Sequence, residues 1–336
     1  MLTLSGIAPR WALADMKALV TGAGGFVGQW LCRALLRDGW EVVGTTQGAL
    51  PQPGVMSRDE IASVTWRGID LRTGAGDRRE VAALLERHPP NAIFHLAGIA
   101  YLPAAGNDRD VALGVNVGAL VKVLDALRPL REAGTMDPTL LVIGSGEQYG
   151  RHPLESQPLN ESVPRLPLNF YAASKVAQEE IALATFRSEG VKVVATRSFN
   201  HSGRGQAPSF LLPSLVARAI AARESGSDVA IGNTDVVRDF LHVEDVVAAY
   251  ISLVARGVPG EVYNVCSGNG VRVGDLATEV LAQAGVRAPL RVDSALQRAV
   301  DVPALVGDPA KLQAATGWAP RRSRSDIIAE LLDAAS

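Results

Sequence analysis

A tyrosine and a lysine four positions apart, in Tyr171-Ala172-Ala173-Ser174-Lys175, are the residues of this 336-residue chain best suited to moving a proton. On a helix, that spacing stacks the two side chains one turn above the other on a single face. An ammonium held beside a phenol stabilises phenolate, so Lys175 is expected to lower the Tyr171 pKa toward neutrality. A phenol tuned in this way gives and takes a proton at physiological pH. Taken alone, the pattern more often marks only the exposed start of an amphipathic helix, because short patterns recur by chance. Its meaning depends on whether the rest of the chain builds a nucleotide site.

The elements that would position the pair begin with residues 16–21, a short apolar run feeding Gly22-Ala23-Gly24-Gly25-Phe26-Val27-Gly28. A helical pattern follows, and strand, glycine turn, helix is the context of a dinucleotide-binding turn. Gly22 permits the tight turn, Gly25 the approach of backbone to a pyrophosphate, and Gly28 close packing of helix on strand. The first helical amides, at Phe26 and Val27, then face the phosphates. The second strand, residues 41–46, ends at Thr46 without the Asp or Glu that takes the ribose hydroxyls of NAD. Nothing there repels a 2′-phosphate and no adjacent Arg attracts one. NADPH and NADH both stay open, with the missing acid favouring NADPH. A third strand, residues 64–70, ends in Asp70-Leu71, where Asp70 is placed either to accept from an adenine amino group or to serve a helix N-terminus.

Residues 92–98 read as a buried strand ending in His95-Leu96-Ala97-Gly98, whose small residues let a cofactor lie against the backbone. His95 reads as a structural histidine. A helical pattern over residues 110–130 carries Asn116, and a fifth strand, residues 139–145, ends at Ser145 ahead of Glu147 and Tyr149. A polar, proline-containing loop then leads to Tyr171, and a sixth strand spans residues 191–200. This alternation implies an α/β fold with a Rossmann-type, doubly wound parallel sheet, which binds ligands outside the carboxyl ends of its strands. Beyond residue 200 the alternation becomes irregular, as expected of a smaller α/β lobe set over the sheet edge. The expected division is an N-terminal extension over 1–15, a dinucleotide-binding domain over 16–199 with about 238–266, and a substrate lobe over 200–237 and 267–336.

A formal charge of −2 gives no electrostatic case for nucleic acid or an anionic membrane surface. No run of 18 apolar residues offers a membrane span. Cys32, Cys266 and five His make neither a disulfide framework nor a metal-ligand cluster, so no metal is expected and a reduced, cytoplasmic setting is.

The glycine turn, the strand end at Ser145 and Tyr171-x-x-x-Lys175, in that order, resemble the extended short-chain dehydrogenase/reductase family over roughly residues 16 to 333. Four further stretches resemble its nucleotide-sugar branch, in particular the enzymes that act on GDP-4-keto-6-deoxy-hexoses. Residues 197–206, from Arg197-Ser198-Phe199-Asn200-His201 to Gln206, look like R-x-F-N-H-x-G-P-G-Q with Arg204 replacing the proline. Gly232-Asn233 with Arg238-Asp239-Phe240 resembles G-N-x-x-x-x-R-D-F, and Val262-Tyr263-Asn264-Val265-Cys266-Ser267-Gly268 matches V-Y-N-V-C-S-G. Arg298-Ala299-Val300-Asp301-Val302 is similar to R-P-x-E-V, with Asp301 shortening a ribose contact. Phe170 stands where the family usually has proline.

The resemblance implies hydride transfer from NADPH or NADH to the 4-keto carbon of a GDP-linked 4-keto-6-deoxy sugar, giving GDP-D-rhamnose or its 4-epimer GDP-6-deoxy-D-talose. Tyr171 would supply the proton, Ser145 would hydrogen-bond the keto oxygen, Lys175 would hold the nicotinamide ribose, and Asn116 would position its neighbours. Arg238 and Arg298 are the candidate diphosphate ligands, guanidinium being suited to bidentate phosphate contacts, with Asn200 as a neutral donor and Asp301 on the ribose. Glu147 corresponds to the base of related 4,6-dehydratases, in which a neighbouring acid or hydroxyl helps water leave; here that neighbour is Gly146, which fits a reductase. A 4,6-dehydratase or 4-epimerase with recycled NAD, and a non-catalytic dinucleotide-binding regulator, are the competing readings. Relatives commonly form homodimers, and the helical patterns after residues 110 and 171 have the apolar surface to do so.

Overall fold

The computed structural model describes residues 16–71, 78–99, 108–297 and 301–335; the N-terminal extension and Arg298 lie outside them. Apolar runs such as Lys17–Thr21 (β1), Ala92–His95 (β4) and Val193–Ser198 (β6) are buried along almost their whole length, as strands covered on both faces must be. They join Glu41–Thr46 (β2), Thr65–Gly68 (β3), Thr139–Ser145 (β5) and Val262–Val265 (β10). Among the described residues these form one seven-stranded sheet in the order β10-β6-β5-β4-β1-β2-β3. Every neighbouring pair is parallel.

Helices cover both faces. On one, Phe26–Arg37 (α1) and Val243–Arg256 (α8) bury Trp30, Leu31, Val247 and Tyr250, with the short Arg58–Ala62 (α2) at the margin. On the other, Arg78–Arg87 (α3), Ala119–Glu132 (α5) and Phe170–Glu189 (α6) close over Leu85, Leu120, Leu127 and Ala182. This is the doubly wound α/β fold expected from the alternation. Strand order reverses between β1 and β4, which opens a crevice at their carboxyl ends.

A second core lies in Leu211–Ser225 (α7), Val273–Gln283 (α9) and Arg324–Ala335 (α11), packed with Val229–Ile231 (β8). Beside it, Val237–His242 (β9) pairs with Asn200–Ser202 (β7), Gly270–Arg272 (β11) and Ala304–Leu305 (β13), while Leu290–Val292 (β12) pairs with β8. Residues 191–200, read as one strand, divide after Ser198, and the chain leaves the large sheet to pair Asn200 with Phe240 in the small one. β9 therefore pairs in the small sheet, whereas β10, later in the same 238–266 stretch, pairs in the large one. Conversely, Ala310–Thr316 (α10) brings Leu312 and Trp318 onto the core of the large sheet. No helix among the described residues is long and apolar enough to cross a membrane.

Candidate active site

Ser145 ends β5, and Gly146–Tyr149 continues from it as a single 3-10 turn. Tyr171 and Lys175 sit in the first turns of α6, whose start Asn169 caps by accepting from the Ala172 amide at 2.8 Å. Packing of α6 beside β5 brings the three to one cleft, with the Ser145 side chain near enough to bear on the Tyr171 phenol. Ser145, Glu147, Tyr171 and Lys175 all line one cleft of about 1320 Å³. A site for one small ligand takes roughly 300–1,000 Å³, so this cleft has room for a dinucleotide and a second ligand.

The electrostatics of the pair differ from the sequence expectation. Burial pushes the Tyr171 phenol up to about 12; the Ser145 side chain pulls it down and the Glu147 charge pushes it up. Lys175 is held by other groups. Its ammonium donates to the Ile143 carbonyl and to Gln178 Oε1, both at 2.9 Å. Burial alone pushes Lys175 down to about 8. Both groups are thus driven toward their neutral forms by desolvation, and Ser145 is the group that favours phenolate.

Asn116 is fully buried and is not among the residues lining the cleft. The expected long helix is broken there: Arg109–Leu113 (α4) runs into a π-helical turn, Gly114–Gly118, before α5. Such single π turns insert one residue and often mark functional sites. The insertion turns Asn116 inward, where Oδ1 accepts from the Ile99 amide at 2.8 Å and Nδ2 donates to Ser174 Oγ at 2.9 Å. Asn116 therefore ties the loop after β4 to the helix carrying Tyr171.

The glycine turn has the shape of a cradle. Gly22 has φ +71°, and a Cβ there would meet the Ala97 amide nitrogen at 2.9 Å; at Gly28 it would meet the Gly22 carbonyl at 2.3 Å. Gly25 is the N-cap of α1 with no side-chain cap, and the first turn carries no acid. The first turn of α1 thus lines the cleft with no side-chain cap among the described residues, which suits a diphosphate. Gly22, Gly25, Phe26, Val27, Gly28, Thr46, Leu71, Leu96, Ala97 and Gly98 line this half. A Cβ at Gly98 would meet Asn116 Oδ1 at 3.1 Å and Lys175 Nζ at 3.2 Å, so its absence leaves the ammonium approachable. These residues fit a dinucleotide. Asp70 is not among the lining residues; its neighbours Ile69 and Leu71 are.

The other half is lined by Asn200, Arg238 and Asp301, from segments far apart in the chain. Arg238 pairs with Asp301 and donates to the Val237 and Val302 carbonyls at 2.8 Å. The two residues assigned separately to diphosphate and ribose thus hold each other. Sequence reading missed three features here. Arg218, on α7, lines the cleft while donating to the Ala230 carbonyl and Ser214 Oγ at 2.9 Å; its signal is one cation amid a largely apolar helix. His201 stacks on Phe26, ring centroids 6.3 Å apart. Phe199 lies against Gly146, where an added Cβ would come within 3.1 Å of its ring. No cluster of potential metal ligands occurs among the described residues.

A family model described as GDP-mannose 4,6 dehydratase matches residues 19–331. The chain is 37% identical to the GDP-6-deoxy-D-mannose reductase of Pseudomonas aeruginosa, over 69% of this chain and 75% of that protein. It is 28% identical to the GDP-6-deoxy-D-talose 4-dehydrogenase of Aggregatibacter actinomycetemcomitans, over 88% of this chain and 90% of that one. Among solved structures, RMD from Pseudomonas aeruginosa complexed with NADPH matches with a TM-score of 0.75 and 32% identity, covering 95% of this chain and 98% of that one.

Proposed function

This chain belongs to the GDP-mannose 4,6-dehydratase family of extended short-chain dehydrogenases/reductases, and within it we propose that it is an NAD(P)H-dependent reductase of GDP-4-keto-6-deoxy-hexoses. The observation that carries the reading is Ser145 and Tyr171 lining one cleft beside Gly146, which has no side chain to act as a second acid. A bound nicotinamide supplies the hydride. Negative charge then grows on the keto oxygen, where Ser145 donates a hydrogen bond and Tyr171, a neutral phenol at pH 7, gives up its proton. Lys175 keeps one N–H beyond its two bonds for the cofactor ribose, and Asn116 holds the loop against which the cofactor lies. Arg218 and Arg238, with Asn200, receive the sugar nucleotide's diphosphate; Asp301 reaches its ribose while bracing Arg238.

Elimination of water across C5 and C6 needs an acid beside the base, and Gly146 supplies none. Reduction needs only the one donor. The matches to a mannose-type reductase and a talose-type dehydrogenase leave two C4 epimers as products, GDP-D-rhamnose and GDP-6-deoxy-D-talose. A homodimer in the cytoplasm is the expected form: Leu113 is 45% exposed on α4, and both cysteines are buried free thiols.

The test supplies purified protein with either GDP-4-keto-6-deoxymannose and reduced cofactor, or GDP-mannose and NAD. Oxidation of reduced cofactor in the first mixture, with no ketosugar formed in the second, is expected. Ketosugar formation from GDP-mannose would overturn the reading. NMR of the product fixes the C4 configuration.

A further inference from the structure

We propose that Gln148, oriented by Glu179, is a positioning residue that fixes the Ser145 hydroxyl for donation to the substrate. This rests on the reading of Ser145 as a donor to the keto oxygen. Gln148 is fully buried and is not among the residues lining the cleft, so it touches neither substrate nor cofactor. Its Oε1 accepts from the Ser145 amide at 2.8 Å, while Ser145 Oγ accepts from the Glu147 amide at 3.2 Å. The two bonds form a reciprocal capping box around the turn after β5. A serine hydroxyl has one proton and two lone pairs. With a backbone N–H on one lone pair, the rotamer is set and the proton is left for the cleft.

A glutamine amide holds this arrangement only if its oxygen and nitrogen are not exchanged. Glu179 forbids the exchange. Gln148 Nε2 donates to Glu179 Oε2 at 2.8 Å, and an ionised carboxylate accepts but cannot donate. Glu179 is itself fixed by Arg197, through Nε at 3.0 Å and Nη2 at 2.8 Å, and by Arg165 Nη1 at 2.9 Å. Space for the amide comes from Gly144, where a Cβ would meet Gln148 Oε1 at 2.4 Å and the Thr196 carbonyl at 2.2 Å. Glu179 lies one turn beyond Lys175 on α6. One helix thus bears the phenol, the ammonium and the anchor that orients the third group from behind.

A double-mutant cycle tests this, because a positioning residue acts only through the group it positions. Removing a transition-state donor outright costs roughly 10²–10³-fold in kcat, and loosening it should cost less, about tenfold. Gln148→Leu should therefore lower kcat about tenfold with KM and cofactor Kd unchanged, and Glu179→Gln should move kcat in the same direction. In a Ser145→Ala background, Gln148→Leu should change kcat by less than about twofold. Equal losses in both backgrounds, or an unchanged kcat in a folded Gln148→Leu protein, would overturn the proposal; Gln148→Met replaces it if the leucine variant does not fold. Amide hydrogen exchange at Ser145 gives a readout that needs no turnover: it should be at least about tenfold faster in the variant, and unchanged protection contradicts the proposal. A wild-type protein without ketosugar reduction would sink the assigned reaction, whereas additivity in an active protein sinks only the positioning role.

Discussion

Where the cofactor half of the cleft meets α1, no side chain caps the helix and no acid occupies its first turn; across the cleft, the other half presents Arg218 from α7 and Arg238 from β9. The first half offers an anion oriented backbone amides, made accessible by glycines at which a Cβ would collide. The second offers guanidinium groups, held by carbonyls, a serine and a carboxylate. Backbone recognition depends on the shape of a short local turn, so it tolerates no added atom. Side-chain recognition depends on charge, and each cation can be removed without closing the site.

Three variants sharpen that contrast. Gly28→Ala drives a methyl group toward the Gly22 carbonyl, 2.3 Å from the ideal Cβ position. It should weaken binding of reduced cofactor by at least about 100-fold, near 3 kcal/mol, measured by nicotinamide fluorescence; a Kd within threefold of wild type breaks the comparison. Arg218→Met should raise KM for the sugar nucleotide about tenfold, since a hydrogen bond to a charged group contributes roughly 1.5–3 kcal/mol. Its cofactor Kd should not move, and a parallel change in both constants would show that the halves are not separate.

The smallest effect concerns Lys175, whose folded value of about 8 lies below the ordinary 10.5. Below pH 8 the folded protein carries a buried ammonium at a cost. Between pH 8 and 10.5 the unfolded chain binds the proton that the folded one has released, so this group's contribution to stability rises with pH across that window. Lys175→Met should thus raise Tm at pH 7 by about 2–5 °C, with the advantage shrinking toward pH 10. A Tm difference that grows with pH contradicts the assignment.

The same division explains what could be read before the fold was known. The glycine turn is a local pattern between a strand and a helix, and its residues lie where that pattern puts them. Ser145, Tyr171 and Lys175 were legible because each sits at a strand end or a helix start, places fixed by periodicity. Arg218 was not, since only the packing of α7 over the cleft distinguishes it from any exposed arginine. Phe199 against Gly146, and Gln148 between Ser145 and Glu179, join residues separated by tens of positions, and no local spacing encodes them. The π turn at Asn116 is one residue more than a regular helix needs, and the apolar period on either side hides it. The expected lowering of the Tyr171 pKa does not appear because burial outweighs it: helical spacing puts two side chains on one face, but the carbonyl of Ile143 and the amide of Gln178 decide where the ammonium points.

The most direct measurement follows the reduced nicotinamide band while wild type and Tyr171→Phe are given GDP-4-keto-6-deoxymannose with NADPH or NADH. Wild type should consume one reduced cofactor per ketosugar. The phenylalanine variant should bind both ligands with little change and turn over at least about 10²–10³-fold more slowly, as loss of the proton donor requires. Equal rates from the two proteins would contradict the assignment of Tyr171, and no consumption by wild type with either cofactor would contradict the reaction itself.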